Sequence, residues 1–228
     1  MNKTVISIFN ATKAPRRSFL AVLLSCFVAL ACAATEQPEV KTVMVLGNSI
    51  ATGYGIEQSL AFPSLLQRKI DENKLPYKVV NAGLSGDTTA GGVRRMPWLL
   101  RQQVDVLIVE LGGNDGLRGV SPDETRKNLE KIIDLARAKN PNVKVLVAGM
   151  QMPQNMGAEY TRKFREIFPE VAAKKNATLI PFLLEGVGGR ADMNLPDRIH
   201  PNPKGHEIVA QNVWAVLEQV LRADGEKG

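Results

Sequence analysis

The chain has 228 residues, of which 44% are hydrophobic and 23% charged. That length suits one domain with a sizeable core, and the composition excludes both wholesale disorder and a many-spanning membrane protein. The formal charge is +6, but Lys3, Lys13, Arg16 and Arg17 all stand in an acid-free segment over 1–33; taking these four from 29 basic residues leaves 25 against 23 acidic ones, too even a balance to imply nucleic acid.

Segment 1–33 reads as an export signal. Its basic part ends at Arg17, an apolar run extends from Phe19 to Leu30, and small residues follow as Ala31-Cys32-Ala33-Ala34, which places cleavage after Ala33. The run is short for a bilayer span. Arg16-Arg17-Ser18-Phe19-Leu20 resembles a twin-arginine signal, whereas Leu23-Leu24-Ser25-Cys26 and Ala29-Leu30-Ala31-Cys32 resemble lipoprotein cleavage boxes. The expected location is periplasmic or secreted, with membrane contact only through a lipid anchor. Cys26 and Cys32 are the two cysteines of the chain, so the exported body carries no disulfide framework.

A polar linker, 34–40, leads into one expected domain over 41–222, followed by a polar tail at 223–228. Short apolar runs alternate there with amphipathic stretches, the pattern of a parallel sheet. The runs are Thr42 to Leu46, Lys78 to Asn81, Asp105 to Leu111, Val143 to Gly149 and Thr178 to Phe182, mostly apolar on both faces as buried parallel strands are. Between them Phe62, Leu65, Leu66 and Ile70, then Leu129, Ile132, Ile133 and Ala136, keep the spacing of one helical face. A last helix carries Ile208, Val209, Asn212, Val213, Val216, Leu217 and Val220. Right-handed crossovers make this an α/β fold, a three-layer α/β/α sandwich with a five-stranded parallel sheet. Its ligand sites should lie beyond the C-terminal ends of the strands.

After the first run comes Gly47-Asn48-Ser49-Ile50-Ala51-Thr52-Gly53-Tyr54-Gly55. A serine on a tight strand-to-helix turn suits a nucleophile whose attack creates negative charge near a helix N-terminus. The same segment also fits a loop cradling a phosphate, as in flavin mononucleotide binders, or a plain helix cap. The second run ends in Asn81-Ala82-Gly83-Leu84-Ser85-Gly86-Asp87-Thr88-Thr89, where Gly86 can present a bare N–H or simply allow an unusual φ before an Asp87 cap. The third ends in Glu110-Leu111-Gly112-Gly113-Asn114-Asp115. That glycine turn can push the Asn114 amide into the crevice, where it would stabilise an oxyanion, or leave Asn114 and Asp115 to satisfy turn backbone.

The chain has two histidines. In Asp197-Arg198-Ile199-His200-Pro201-Asn202 a carboxylate three residues before an imidazole can accept the Nδ1 proton on a compact turn and leave Nε2 to take a serine proton. His206, beside Glu207 in the first turn of the final helix, reads as a solvated helix residue. The sequence holds no metal-ligand cluster, no Walker loop and no G-x-G-x-x-G. An α/β-hydrolase would need a longer sheet before its serine and a wider gap between acid and histidine.

Taken together these residues resemble the SGNH hydrolase family, also called GDSL esterases and lipases, in its bacterial arylesterase, thioesterase and lysophospholipase branch. The resemblance covers roughly Lys41 to Leu221 and is carried by Leu111-Gly112-Gly113-Asn114-Asp115-Gly116-Leu117-Arg118-Gly119, Ser85-Gly86-Asp87-Thr88 and Ile199-His200-Pro201-Asn202. It implies a flavodoxin-like fold, with Ser49 as nucleophile, His200 as general base and acid, and Asp197 orienting His200. The implied oxyanion donors are the backbone N–H groups of Ser49 and Gly86 and the side chain of Asn114. Implied substrates are small carboxylic esters and acyl thioesters, with no cofactor and no metal. The sequence departs from the family at Asn48, where Asp is usual; a retained fold with an altered rate and pH profile is expected. Leu111 and Leu117 beside the glycine turn, with Met150 and Met152 after the fourth run, can line an acyl groove, since methionine adapts to irregular chains, while core packing accounts for Met150 equally well. Competing readings are a carbohydrate acetylesterase of the same fold, a flavin-binding protein, and a secreted binding module without turnover, for which Asn48 is the one supporting residue.

Overall fold

The computed structural model describes residues 39–225 together with Met1. The rest of the segment read as an export signal, most of the expected linker and the last three residues lie outside the described residues. The elements are β1 (Lys41–Gly47), α1 (Ser49–Thr52), α2 (Phe62–Glu72), β2 (Tyr77–Asn81), α3 (Thr89–Leu99), β3 (Val106–Glu110), α4 (Gly113–Leu117), α5 (Pro122–Lys139), β4 (Lys144–Ala148), α6 (Ala158–Lys174), β5 (Thr178–Ile180) and α7 (Pro203–Gly225). The strands fall on the five apolar runs. The last helix runs three residues past the expected domain end at 222.

The sheet order is β2-β1-β3-β4-β5, and every pairing is parallel. Chain order reverses beside β1, so the crevice for a ligand opens where the turns after β1 and β3 diverge. Residues Val43–Gly47 of β1 and all of β3 are buried, which is why β-branched and leucine side chains occupy both their faces. On one side of the sheet α2 packs against β2 and α7, burying Phe62, Leu65, Leu66 and Ile70. On the other α3 packs against α5 and α5 against α6, and α5 buries Leu129, Ile132, Ile133 and Ala136. The sandwich therefore has three layers.

Local chemistry sets the helix ends. Ser121 caps α5 by accepting the Asp123 N–H, Pro122 begins the first turn, and Arg137 and Lys139 close the last turn beside its carbonyls. Helix α3 forms in spite of Gly91, Gly92 and Pro97, residues that lower helix propensity. A Cβ on Gly92 would lie 2.5 Å from Leu111 Cδ1, and one on Gly91 1.8 Å from Asp87 Oδ1. Glycine here lets the helix approach the sheet and the Asp87 turn. Among the described residues no helix is long and apolar enough to cross a membrane.

Candidate active site

The turn after β1 is tight because Gly47 leaves room for it: a Cβ there would stand 2.5 Å from both Ala51 Cβ and Glu110 Oε2. Asn48 Oδ1 accepts the Ile50 N–H at 2.9 Å and caps α1, and Gly53 ends that single turn in the left-handed region at φ 72°. Ser49 thus heads a one-turn helix. Capping, read from the sequence as an alternative role for this turn, falls to Asn48, so the serine hydroxyl stays available.

A separate loop brings the imidazole. The Arg198 N–H donates to Leu195 O at 2.9 Å and Arg198 takes φ 59°, closing the chain on Asp197. Asp197 Oδ1 accepts the N–H groups of Ile199 and His200 at 2.9 and 3.0 Å, while Oδ2 lies 2.6 Å from His200 Nδ1. The His200 N–H groups, opposed by slight burial, hold the Asp197 carboxyl at about 2, well below its ordinary range. His200 Nε2 lies 2.9 Å from Ser49 Oγ. The Tyr54 ring leans on the imidazole with centroids 4.6 Å apart. The loop is clipped at its base by Leu195 N–H to His200 O at 2.8 Å and Asn202 N–H to Met193 O at 2.9 Å. Asn194, buried, ties it inward through bonds to the Val187 and Arg190 carbonyls.

The turns after β2 and β3 complete the crevice. Leu84 N–H donates to Gly47 O at 3.0 Å, and Thr52 Oγ1 lies 3.0 Å from Ser85 Oγ, so the second turn is fastened to the first. Gly86 sits at φ 80°, and its carbonyl accepts from Arg118 at 3.0 Å. Among the described residues the N–H groups of Ser49 and Gly86 meet no backbone acceptor outside helices and strands. Asn114 Nδ2 donates to Asp87 O at 2.8 Å, which engages one amide hydrogen and orients the other. Asp87 is itself held by a 2.8 Å ion pair with Arg95. Buried Asp115 accepts the Thr89 N–H at 2.9 Å and the Thr89 hydroxyl, joining α4 to α3; burial pushes its carboxyl up. Ser49, Asp197, His200, Gly86 and Asn114 are therefore brought to one place.

Beside them runs an open groove of about 450 Å³, its apolar walls including Leu117, Met150, Met152, Phe182, Leu184 and Ile199. Leu117, Met150 and Met152 border it, Met150 with only 4% of its surface exposed and packed into the core. Leu111 does not: it is fully buried and faces Gly92 of α3, because the residue following β3 still points into the helix layer. His206 also departs from expectation. It is 1% exposed, and its Nδ1 accepts the Phe62 N–H at 3.1 Å, a donor at the start of α2 that Ala61 cannot cap. Burial, with a smaller push from the charge of His200, lowers its pKa to about 4. Tyr54, Phe182, Leu184, Ile199 and Glu110 were not singled out by sequence; Glu110, an acid ending an apolar strand, was the one with a visible signal.

Residues 45–208 match the GDSL-like Lipase/Acylhydrolase family. The chain is 42% identical over 202 residues to Esterase TesA of Pseudomonas aeruginosa, covering 88% of this chain and 99% of that protein. It is 36% identical over 184 residues to Thioesterase 1/protease 1/lysophospholipase L1 of Escherichia coli K12, covering 80% and 86%. Among solved structures, that of TesA superposes with TM-score 0.76 at 40% identity, covering 78% of this chain and 99% of that one. That of AlinE4, an SGNH-hydrolase family esterase, does so with TM-score 0.67 at 37% identity, covering 80% and 98%. A relative 42% identical over nearly its full length, together with a matching family domain and fold, establishes that this chain belongs to the GDSL-like lipase/acylhydrolase family and is a hydrolase of ester bonds.

Proposed function

We propose that the chain is an exported serine esterase that cleaves small carboxylic esters and acyl thioesters through an acyl-enzyme, with Ser49 as nucleophile. The observation that carries this reading is the continuous relay from Asp197 Oδ2 to His200 Nδ1 at 2.6 Å and from His200 Nε2 to Ser49 Oγ at 2.9 Å. Asp197 stays ionised throughout the neutral range, so it holds the imidazole with Nδ1 protonated and Nε2 free to accept.

In the first step His200 takes the Ser49 proton as Oγ bonds to the substrate carbonyl carbon. The oxyanion that forms meets the N–H groups of Ser49 and Gly86 and the free amide hydrogen of Asn114; removing one such donor typically costs on the order of 10² to 10³ in rate. Collapse expels the alcohol or thiol, which leaves with the proton held by His200. Water then attacks the acyl group with His200 again as base, and Ser49 is released. The acyl chain lies along Leu117, Met150 and Met152 in a groove whose lining supports an apolar acyl group rather than a sugar. Export rests on the basic, apolar and small-residue order of 1–33.

The test is hydrolysis of p-nitrophenyl esters and acyl thioesters of increasing chain length by the mature protein, with Ser49→Ala alongside. Turnover that falls by about 10⁴ to 10⁶ in the variant supports the serine mechanism. Equal rates for the two proteins on every substrate overturn it.

A further inference from the structure

Beneath the proposed nucleophile turn lies a buried acid that takes no part in that relay. Glu110 is the last residue of β3 and is fully enclosed. The register of the sheet sets it opposite Gly47 of β1, and the missing Gly47 side chain is what makes room for its carboxyl. Glu110 Oε2 accepts the Asn48 N–H at 2.9 Å. Its main-chain carbonyl accepts from Asn48 Nδ2 at 3.4 Å. The Ala51 N–H also acts on the carboxyl, while Oε1 has no partner among the described residues.

A carboxyl in a dry interior is costly, and an apolar side chain would avoid that cost. What Glu110 supplies is an acceptor for a backbone N–H that would otherwise be buried and orphaned. The location of that N–H gives the bond its meaning. Asn48 directly precedes Ser49, and Glu110 stands four residues before Asn114, so the two Asn48–Glu110 contacts join the turn carrying the serine to the turn carrying the amide donor.

We propose that Glu110, clamped to Asn48, is a positioning residue that fixes the separation of Ser49 from Asn114 and thereby the fit of the oxyanion. The proposal rests on the roles given to Ser49 and Asn114 above. A displacement of about 1 Å between reacting and stabilising groups costs on the order of a hundredfold in rate without touching the substrate. Burial pushes the Glu110 carboxyl up to about 8, against the opposing Asn48 and Ala51 hydrogen bonds, and among the described residues no salt bridge reaches it. In neutral solution the acceptor is therefore an uncharged acid, which a glutamine imitates in size, shape and carbonyl oxygen.

The experiment measures kcat and KM for Glu110→Ala, Glu110→Asp and Glu110→Gln in the full mature protein, with circular dichroism to establish folding and Ser49→Ala beside them. Glu110→Ala is expected to lower kcat about a hundredfold with KM almost unchanged, and Glu110→Gln to restore it to within a few-fold of the original. Glu110→Asp keeps the acid but withdraws it by one methylene, and is expected to lose at least about tenfold in kcat; it serves where the alanine variant does not fold. Folded Glu110→Asp or Glu110→Ala with an unchanged kcat overturns the clamp, as does Glu110→Gln no better than Glu110→Asp. The serine reading fails separately, through persistent turnover by Ser49→Ala.

Discussion

His200 Nε2 and Ser49 Oγ stand 2.9 Å apart although 151 residues separate them in the chain. The Asp197 carboxylate bonded to the imidazole is only three residues away from it. Carboxylate and imidazole are thus one local unit carried by a loop, and the serine stands on the turn that follows β1. Any change that loosens the loop clip should act on the Ser49–His200 distance before it acts on the Asp197–His200 bond.

Replacing Asp197 by Asn keeps a side-chain acceptor for the Ile199 and His200 N–H groups while removing the charge that fixes the imidazole tautomer. Folding should be retained and kcat should fall by roughly 10³ to 10⁴. Esterase rates at saturating substrate, compared with a thermal melt of each protein, check both halves of this expectation.

Asn114→Ala deletes the amide donor and also frees the Asp87 carbonyl that it satisfies at 2.8 Å. A loss of about 10² to 10³ in kcat is expected, with KM changed far less, because the donor acts on the oxyanion and not on the ground-state ester. A KM effect as large as the kcat effect would place Asn114 in ordinary substrate binding.

Glu110 shifts from 4.5 to about 8, which links stability to pH. Between these values the folded chain holds a proton that the unfolded chain has released, so folding stability decreases as pH rises, by on the order of 1 kcal/mol per pH unit. Glu110→Gln should flatten that decline. Urea unfolding midpoints measured at about pH 5, 6, 7 and 8 would reveal the difference in slope, and parallel curves for the two proteins would contradict it.

His206 behaves in the opposite direction. It is neutral when folded, and its pKa falls from 6.5 to about 4, so stability is lost as pH drops through that window, where the unfolded imidazole gains a proton first. His206→Ala strands the Phe62 N–H and should destabilise the protein by about 1 to 3 kcal/mol. At a temperature where the variant is folded, kcat should stay at its original value, in contrast to His200→Ala.

Leu117 is 46% exposed at the groove. Trimming it to alanine should leave short esters unaffected and cost long acyl chains about 1 kcal/mol, roughly fivefold in kcat/KM. A chain-length series on the two proteins reads this directly.

Much of the architecture was legible in the primary structure, for reasons that differ by element. Runs such as Val106 to Glu110 are short and apolar on both faces, and a parallel sheet is the arrangement that buries both. Ser49, Gly86, Asn114, Asp197 and His200 were traceable because each follows a strand or precedes the last helix. Helix α3 escaped the periodicity reading, since Gly91, Gly92 and Pro97 are there for close packing and oppose helix propensity. His206 reads as solvated in sequence because of its polar neighbour Glu207, whereas the Phe62 N–H at the start of α2, 144 residues away, claims its ring. Leu111 followed the glycine motif in sequence but the strand direction in space. Such long-range demands leave no local trace.

The irregular stretch between β5 and α7 has two parts joined by one buried anchor, the Asn194 amide on the Val187 and Arg190 carbonyls. Residues such as Phe182 and Leu184 shape the groove wall, while the clip from Met193 to Asn202 holds Asp197 and His200 through its own hydrogen bonds. Insertions or deletions around Gly186 to Gly189 would therefore move the groove wall and, through Val187, the seat of the Asp197–His200 loop together. Groove shape and the placement of the imidazole are thus borne by one interlocked length of chain, so an alteration in the first is felt by the second.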